Sequence, residues 1–256
     1  IIDCAAKSGM GGSVFIQNAT RESDYNGLFT MNSGSISDSG VSSNREEDNT
    51  IYNHGTFIAN GGTVTNSGSG KFNCALYNWS ILKTEQGKPG TAFSGAVLTG
   101  NGSDIGGGSF NGPVTNYGKI TGGEFHDTVT NHNGGVITGG VFESGSTVIN
   151  DGQIANGTFN GSVTNNGVIT GGIFYGTVSG DGMIEDSTKR TVSFDTDGGS
   201  AVAAQTILRG QKAAEPTACE KAGYSFASWY LGENRFDFNT AITEGITLTA
   251  KWTVNQ

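Results

Sequence analysis

Apolar residues return at a nearly fixed step through the middle of the chain. The phrase Ile-x-Gly-Gly-x-Phe, followed by Val-x-Asn-x-Gly and then Ile again, recurs with small variations and closes at Ile184. The copies start at Ile105, Ile120, Ile137, Ile154 and Ile169, so the steps are 15, 17, 17, 15 and 15 residues. A short period of this kind predicts stacked repeats in which each repeat contacts only its neighbours.

The spacing inside one repeat indicates extended chain. From residue 163 to residue 171, the positions expected to face inward come at every second residue, which is the period of a strand. The pair Gly171 and Gly172 is expected to turn the chain, because glycine adopts backbone angles that other residues disfavour. Phe174 then points back inside, and no helical three-four spacing occurs in this stretch. The repeat therefore predicts an all-β parallel solenoid with coils of about 15–17 residues.

Stacking these coils in register aligns apolar side chains into three internal columns. Each side chain buried in this way stabilises the fold by roughly 1.5–3 kcal/mol. The columns are Phe110, Phe125, Phe142, Phe159 and Phe174; Val114, Val129, Val148, Val163 and Val178; and Ile105, Ile120, Ile137, Ile154, Ile169 and Ile184.

A fourth column consists of asparagine, which is depleted in ordinary strands. Stacked amides can hydrogen-bond to one another along the solenoid and form an internal ladder at a turn. The alternative is a row of amides that bind sugars, and the pattern favours the ladder. The residues are Asn116, Asn131, Asn150 and Asn165.

In residues 1 to about 102 similar short sequence phrases recur, with a spacing closer to 28 residues. This pattern predicts longer coils carried by the same columns, with loops at 21–26, 42–49 and 83–91. We therefore expect one solenoid domain over residues 1–186. Long coils rich in Gly-Gly-Thr phrases resemble the β-helix segments of bacterial surface adhesins.

The repeat stops between residues 181 and 189, and Trp and Lys are more frequent after it. Residues 190–254 resemble the Listeria–Bacteroides repeat, the B-repeat type of module in internalin-like surface proteins. That resemblance implies a small α+β domain of the β-grasp type, used as a spacer or adhesion module, with no catalytic residues. Ser228 stands where the family usually has Gly. The matching residues are Phe194, Asp195, Gly198, Gly199, Pro216, Gly223, Tyr224, Phe226, Trp229, Tyr230, Phe236, Phe238, Ile242, Leu248, Ala250, Lys251 and Trp252.

Composition and charge narrow the class of partner. The chain has 43 Gly and 34% apolar residues, a low apolar fraction that a thin solenoid core tolerates. Up to residue 186 it holds 7 Lys/Arg against 16 Asp/Glu, a net charge of −9, which disfavours nucleic acid. No run of 18 apolar residues exists, so we expect no membrane insertion in this segment. The chain opens on Ile1 without a signal-like segment, so we interpret it as part of a longer protein.

Few residues are candidates for chemistry. His126 and Asp127 are adjacent in the repeat, and Trp229 and Tyr230 could stack on sugar rings, although core packing is the simpler interpretation of both aromatics. The three histidines lack metal-ligand spacing. Paired carboxylates of the kind that glycosidases need do not share a column. Cys4, Cys74 and Cys219 cannot all pair, and small buried hydrophobes are the simplest interpretation. The sequence predicts no catalytic residue, metal or cofactor.

These patterns together predict a secreted or cell-surface bacterial protein that is not an enzyme. We expect an adhesin-like role, with a glycan or an extracellular protein as partner, or the spacing of other modules. The alternative is a carbohydrate-active β-helix enzyme or a glycan-binding protein, with its site in residues 1–102.

Overall fold

The computed structural model describes residues 14–16, 28–38, 50–66, 75–217 and 219–255. Cys4, Cys74 and the predicted loops at 21–26 and 42–49 lie outside these ranges. The chain divides into two compact units, of which the first ends at Ile184 and the second begins at Glu185. The second unit also includes Ile173–Tyr175.

The first unit is a parallel β-solenoid, as its repeat predicted, and the structure shows three faces in each coil. We name the faces after the column that each carries: the valine, isoleucine and phenylalanine faces. The valine face consists of Val14–Ile16, Ile51–Asn53, Leu76–Asn78, Val97–Thr99, Val114–Asn116, Val129–Asn131, Thr147–Asn150, Ser162–Asn165 and Val178–Ser179.

The other two faces share two long strands, Asp104–Phe110 and Lys119–Phe125, which pass around a corner with irregular register. Otherwise the isoleucine face holds Leu28–Met31, Thr56–Ala59, Ile81–Lys83, Val136–Ile137, Gln153–Ile154, Val168–Ile169 and Met183–Ile184. The phenylalanine face holds Ser35–Asp38, Thr63–Asn66, Ala92–Ser94, Val141–Phe142 and Thr158–Phe159, and Ile173–Phe174 is a further short strand.

The predicted apolar columns form the core of the solenoid. The column phenylalanines and the isoleucines from Ile105 to Ile169 are fully buried, whereas Val178 and Ile184 at the last coil are half-buried. Successive phenyl rings lie parallel, with centroids 4.6–5.2 Å apart and interplanar angles of 7–11° from Phe93 to Phe159. The spacing follows from the distance of about 4.8 Å between paired strands.

The structure corrects one detail of the repeat. Residues 163–171 form two strands rather than one, because the chain turns a corner between Asn165 and Val168. The inward spacing of two continues through that corner, so the pattern alone does not reveal the break. The predicted turn at Gly172 is present, with φ of 116°.

Insertions leave the solenoid at its corners. Residues 84–91 form a loop between Ile81–Lys83 and Ala92–Ser94, as predicted. The two 17-residue steps each have two more residues than the 15-residue steps, and these extra residues form tight turns near 133 and 145. Hydrogen bonds from the Gly135 amide to the His132 carbonyl and from the Ser146 amide to the Glu143 carbonyl close these turns. Long and short coils can therefore share the same three faces.

The second unit contains a five-stranded sheet around a small core. Trp229 is fully buried at its centre, with Leu248 and Val192. The strand order is Gln205–Leu208, Lys189–Asp195, Ile246–Val254, Tyr224–Leu231 and Asn234–Arg235, with the second and third strands parallel.

The connection from Gln205–Leu208 to Tyr224–Leu231 differs from the helix that a β-grasp domain implies. Among residues 185–217 and 219–255, the only helical segment is the short 3-10 turn Asp186–Thr188. Pro216 explains part of this difference, because proline lacks an amide donor and disfavours helix at the residue before it. Ala213 and Cys219 instead bury small side chains in the core, and Cys219 is a free thiol whose pKa is raised by that burial.

No helix in the described ranges has the length and hydropathy needed to cross a bilayer.

Candidate functional site

The asparagine column is an internal hydrogen-bonded ladder at the corner that follows the valine face. The side-chain amide of Asn116 donates to the carbonyl of Asn131 at 2.7 Å, Asn131 donates to Asn150 at 2.7 Å, and Asn150 donates to Asn165 at 2.7 Å. All four residues are fully buried. The ladder interpretation is thus confirmed, and the sugar-binding interpretation of these amides is wrong because no ligand reaches them.

The ladder extends toward the amino terminus beyond the repeats that predicted it. Asn53 donates to Asn78 at 2.7 Å, and the hydroxyl of Thr99 donates to the carbonyl of Asn116 at 2.7 Å. Each asparagine also holds its own corner: the Asn116 amide, for example, donates to the Gly118 carbonyl at 3.1 Å. The ladder side chains therefore hold both the short corner after Asn116 and the longer corner after Asn131, where the amide donates to the Gly135 carbonyl.

The residue after each ladder position lies on the outside of this corner, and these residues form what we call the corner row. From Trp79 onward, their backbone amides donate to the backbone carbonyl of the ladder residue in the preceding coil, as from Trp79 to Asn53 at 2.8 Å and from His132 to Asn116 at 2.9 Å. The row is consequently in register along the solenoid. It consists of His54, Trp79, Gly100, Tyr117, His132, Asp151 and Asn166.

Trp79 is an exposed indole held from several sides. Its six-membered ring lies over Gly100, where a Cβ would come within 2.6 Å of Cζ3 and 2.5 Å of Cδ2. The ring of His54 is nearly parallel to it at 6.1 Å, and Tyr77 meets it edge-on at 5.6 Å. The side chain nevertheless remains 39% exposed. Trp79 is therefore a fixed aromatic surface open to solvent.

A second pair of rings follows in the same row. Tyr117 and His132 are stacked with centroids 4.4 Å apart and planes 8° from parallel. Tyr117 is 41% exposed. Beyond this pair the row becomes polar, with an Asn166 amide donating to the Asp151 carboxylate at 2.9 Å. The row thus has an aromatic half and a polar half.

Burial lowers the pKa of His54 from its ordinary value. The imidazole packs beside the indole of Trp79, where a charged ring would lose solvation. The neutral form is therefore the one that fits the corner row near neutral pH.

The sequence did not reveal the corner row. Its members differ in type, so they do not repeat as the asparagines do. Aligning Asn53 and Asn78 with the later ladder asparagines would have revealed it, because the residue after each of them is a member of the row. Unequal loops disguise that alignment, because the valine-face strands starting at Ile51, Leu76 and Val97 are 25 and 21 residues apart.

The module residues proposed from the sequence have different positions. Trp229 is fully buried, so a ligand cannot stack on it, and its indole belongs to the core. Tyr230 is half-buried, and the ammonium of Lys251 lies 4.3 Å from its ring centroid. Ser228, which replaces the usual Gly, accepts a hydrogen bond from Arg235 at 2.9 Å. The module's aromatic residues are therefore largely occupied by the protein itself.

His126 and Asp127 do not form a joint site. His126 is exposed and lies 3.2 Å from the Ser109 hydroxyl. The Asp127 carboxylate instead accepts the backbone amide of Thr128 at 2.6 Å. Among the described residues, no three His, Cys, Asp or Glu side chains are grouped closely enough to hold a metal ion.

A shallow groove of about 370 Å³ lies along the glycine corner between the isoleucine and phenylalanine faces. Its floor is glycine backbone, because corner residues such as Gly123 and Gly140 have no side chain. Lys88 from the 84–91 loop and Glu124 are its charged residues. The groove thus offers one carboxylate, whereas glycoside hydrolysis ordinarily needs two.

Comparison with known proteins finds relatives and one protein family that match part of this chain. One relative, a provisionally named membrane protein of Evansella cellulosilytica, is 46% identical over 69 residues, which are 25% of this chain and 10% of that protein. Another, a provisionally named Gly-rich membrane protein of the same organism, is 42% identical over 69 residues, 25% of this chain and 8% of that protein. The matched part therefore spans a tenth or less of these relatives. The family model of the Listeria-Bacteroides repeat domain matches residues 191–251. This match confirms the resemblance found in the sequence: the chain carries a Listeria-Bacteroides repeat domain after a parallel β-solenoid.

Proposed function

We propose that this chain is part of a bacterial cell-surface protein in which the solenoid is a rigid, non-catalytic binding rod of the adhesin type. The repeat domain and the relatives named as membrane proteins support a surface location. The repeat domain itself serves as a spacer, since its largest aromatic residues pack in or against its core.

The observation that carries this proposal is the aromatic half of the corner row. Large aromatic side chains are ordinarily buried, and where they are exposed they are enriched at recognition surfaces. Trp79 and Tyr117 are both about two-fifths exposed and are held by neighbouring rings. A surface that is already ordered loses little conformational entropy when a partner binds. The corner row is therefore the part of the described solenoid best suited to contact a partner.

A solid-phase assay tests this proposal. The purified chain is applied to bacterial envelopes, extracellular-matrix proteins and immobilised glycans, beside a double variant, Trp79→Ala with Tyr117→Ala. We expect the unmodified chain to bind at least one surface and the double variant to lose that binding. Tyr175→Ala is the matched control, because Tyr175 is 49% exposed but lies outside the corner row. Equal binding by the chain and the double variant would refute the assignment.

The alternative, a carbohydrate-active enzyme or glycan-binding protein with its site in residues 1–102, stays a prediction. Much of that segment lies outside the described ranges. The aromatic residues His54 and Trp79 do fall within it. Their arrangement favours binding over bond cleavage, because glycoside hydrolysis ordinarily needs two carboxylates and neither of these side chains has one. Release of reducing sugar from a polysaccharide incubated with the chain would support the enzyme instead.

A further inference from the structure

The surroundings of Trp79 identify the class of partner. We propose that the corner row binds a neutral glycan, with a pyranose ring stacked on the indole of Trp79. This inference rests on the proposed binding function and names the ligand of the same surface.

The first argument is the geometry of the indole. One of its faces packs over Gly100, whose missing side chain makes this close approach possible. The ring is further fixed by Tyr77 and His54, yet it stays exposed. A fixed, flat aromatic surface matches the apolar C–H face of a pyranose. A flexible exposed side chain would first have to be ordered at an entropic cost.

The second argument is the polar margin of these rings. Ser80 follows Trp79 directly, and the exposed residues Asn101 and Asn133 follow Gly100 and His132 in the row. Hydroxyl and amide groups both donate and accept hydrogen bonds. Sugar hydroxyls have the same double capacity. Aromatic rings edged by such neutral groups therefore suit an uncharged polyhydroxylated chain.

The third argument is charge. Residues 75–184 contain 3 Lys/Arg and 7 Asp/Glu, a net charge of −4, and the row itself carries the carboxylate of Asp151. A polyanionic glycan would be repelled from this surface, and it would find few cations to pair with. The ligand is therefore expected to be neutral rather than sulfated or uronic.

The fourth argument is direction. Row positions in paired coils are about 4.8 Å apart, and Trp79 and Tyr117 are separated by the single coil that carries Gly100. A glycan lying along the solenoid can contact both rings through different sugar units. This arrangement predicts that affinity increases with the length of the oligosaccharide.

Titration calorimetry of the full chain tests the inference. The probes are cellohexaose, chitohexaose and mannohexaose as neutral ligands, their disaccharides as short ligands, and hyaluronan and heparin oligosaccharides as anionic ligands. We expect at least one neutral hexasaccharide to bind, its disaccharide to bind more weakly, and both anionic probes to bind worst. Trp79→Ala should weaken hexasaccharide binding by about tenfold or more, whereas Tyr175→Ala should leave it unchanged.

Gly100→Ala provides a second variant that removes no ring. Its new Cβ would displace the indole, so the hexasaccharide should bind several-fold more weakly while the circular dichroism spectrum stays that of the unmodified chain. This variant keeps the test decisive if Trp79→Ala fails to fold.

The outcomes separate this inference from the proposed function. If no neutral probe binds, but the chain binds envelopes or matrix proteins and Trp79→Ala abolishes that binding, the glycan proposal is wrong. The proposed binding function then holds with a protein partner. Tighter binding of heparin than of any neutral probe would also overturn the glycan proposal. Absence of binding to every probe and every surface would overturn the proposed function itself.

Discussion

At the scale of single residues, each ladder asparagine is required by two neighbours at once. Asn131 accepts from Asn116 and donates to both Asn150 and the Gly135 carbonyl, all while fully buried. Replacing it leaves buried donors and acceptors without partners, and each such group costs more than an ordinary hydrogen bond gains.

We therefore expect Asn131→Ala to lower the free energy of unfolding by roughly 2–3 kcal/mol. Urea unfolding followed by circular dichroism measures this change. Asn133→Ala is the matched control, because Asn133 is an exposed residue in the same turn and should change stability by less than about 0.5 kcal/mol. Equal effects of the two substitutions would show that the ladder contributes nothing special.

The lowered pKa of His54 gives the corner row a pH dependence. Because the unfolded imidazole binds a proton more readily than the folded one, the unfolded state gains protons first as the pH falls. The contribution of neutral His54 to stability should be fully present above the ordinary histidine pKa of about 6.5. It should decrease below that pH, until the pH is also below the pKa of His54 in the folded protein. The melting temperature is expected to decrease when the pH is lowered from 7.5 to 5.5, and to decrease less in His54→Gln. Parallel pH profiles of the two proteins would contradict this.

The sequence predicted residues that repeat by type and missed residues that repeat only by position. The asparagines could be aligned from their identity, and the alignment implied amide-to-amide contact. Trp79 and Tyr117 share a position but not a residue type. Only the backbone register shows that both belong to one row. The sequence therefore predicted the asparagine ladder but not the corner row that lies outside it.

At the scale of the element, the corners decide which coils can stack. Gly161 has no room for a side chain, since a Cβ there would come within 2.6 Å of the Glu143 carbonyl oxygen and 2.8 Å of the Ser146 hydroxyl. Gly134 is different: its φ is 90°, yet nothing lies within 4 Å of the Cβ position. The two glycines thus serve different physical purposes, close approach in one case and backbone conformation in the other.

This difference predicts unequal costs for the same substitution. Gly161→Ala must push two coils apart, and we expect a loss of about 3 kcal/mol. Gly134→Ala adopts only an unfavourable backbone conformation, at about 1 kcal/mol. Thermal unfolding of both variants measures the order. A larger loss for Gly134→Ala would mean that coil-to-coil contact is looser than the backbone distances indicate.

The strands show that a two-residue period of inward-facing positions predicts which side chains face the core better than it predicts where a strand ends. Inward-facing positions continue through the corner at Asn165, so residues 163–171 read as one strand although they form two. The module shows the opposite limit. The aromatic residues that carry its family resemblance lie in the strands Tyr224–Leu231 and Ile246–Val254, whereas the segment around Pro216 has no periodicity from which its path could be derived.

At the scale of the whole molecule, a solenoid depends on contacts between neighbouring coils rather than on one central core. The coil from Val148 to Ser162 has the 15-residue step, and the following coil continues its columns in register. A second copy of residues 148–162, inserted after Ser162, would therefore meet Val, Asn, Ile and Phe side chains of the same columns on both sides. It should fold as an additional coil.

We expect the duplicated protein to stay monomeric, to gain β-strand signal in proportion to its length, and to become longer by about 4.8 Å. Circular dichroism and small-angle X-ray scattering measure these changes. The control is a chain with the same 15 inserted residues in scrambled order, which should bulge as a loop and add no strand signal. If the ordered copy behaves as the scrambled copy does, then the columns of Val, Asn, Ile and Phe do not direct the stacking. In that case the register that aligns the corner row would need another cause.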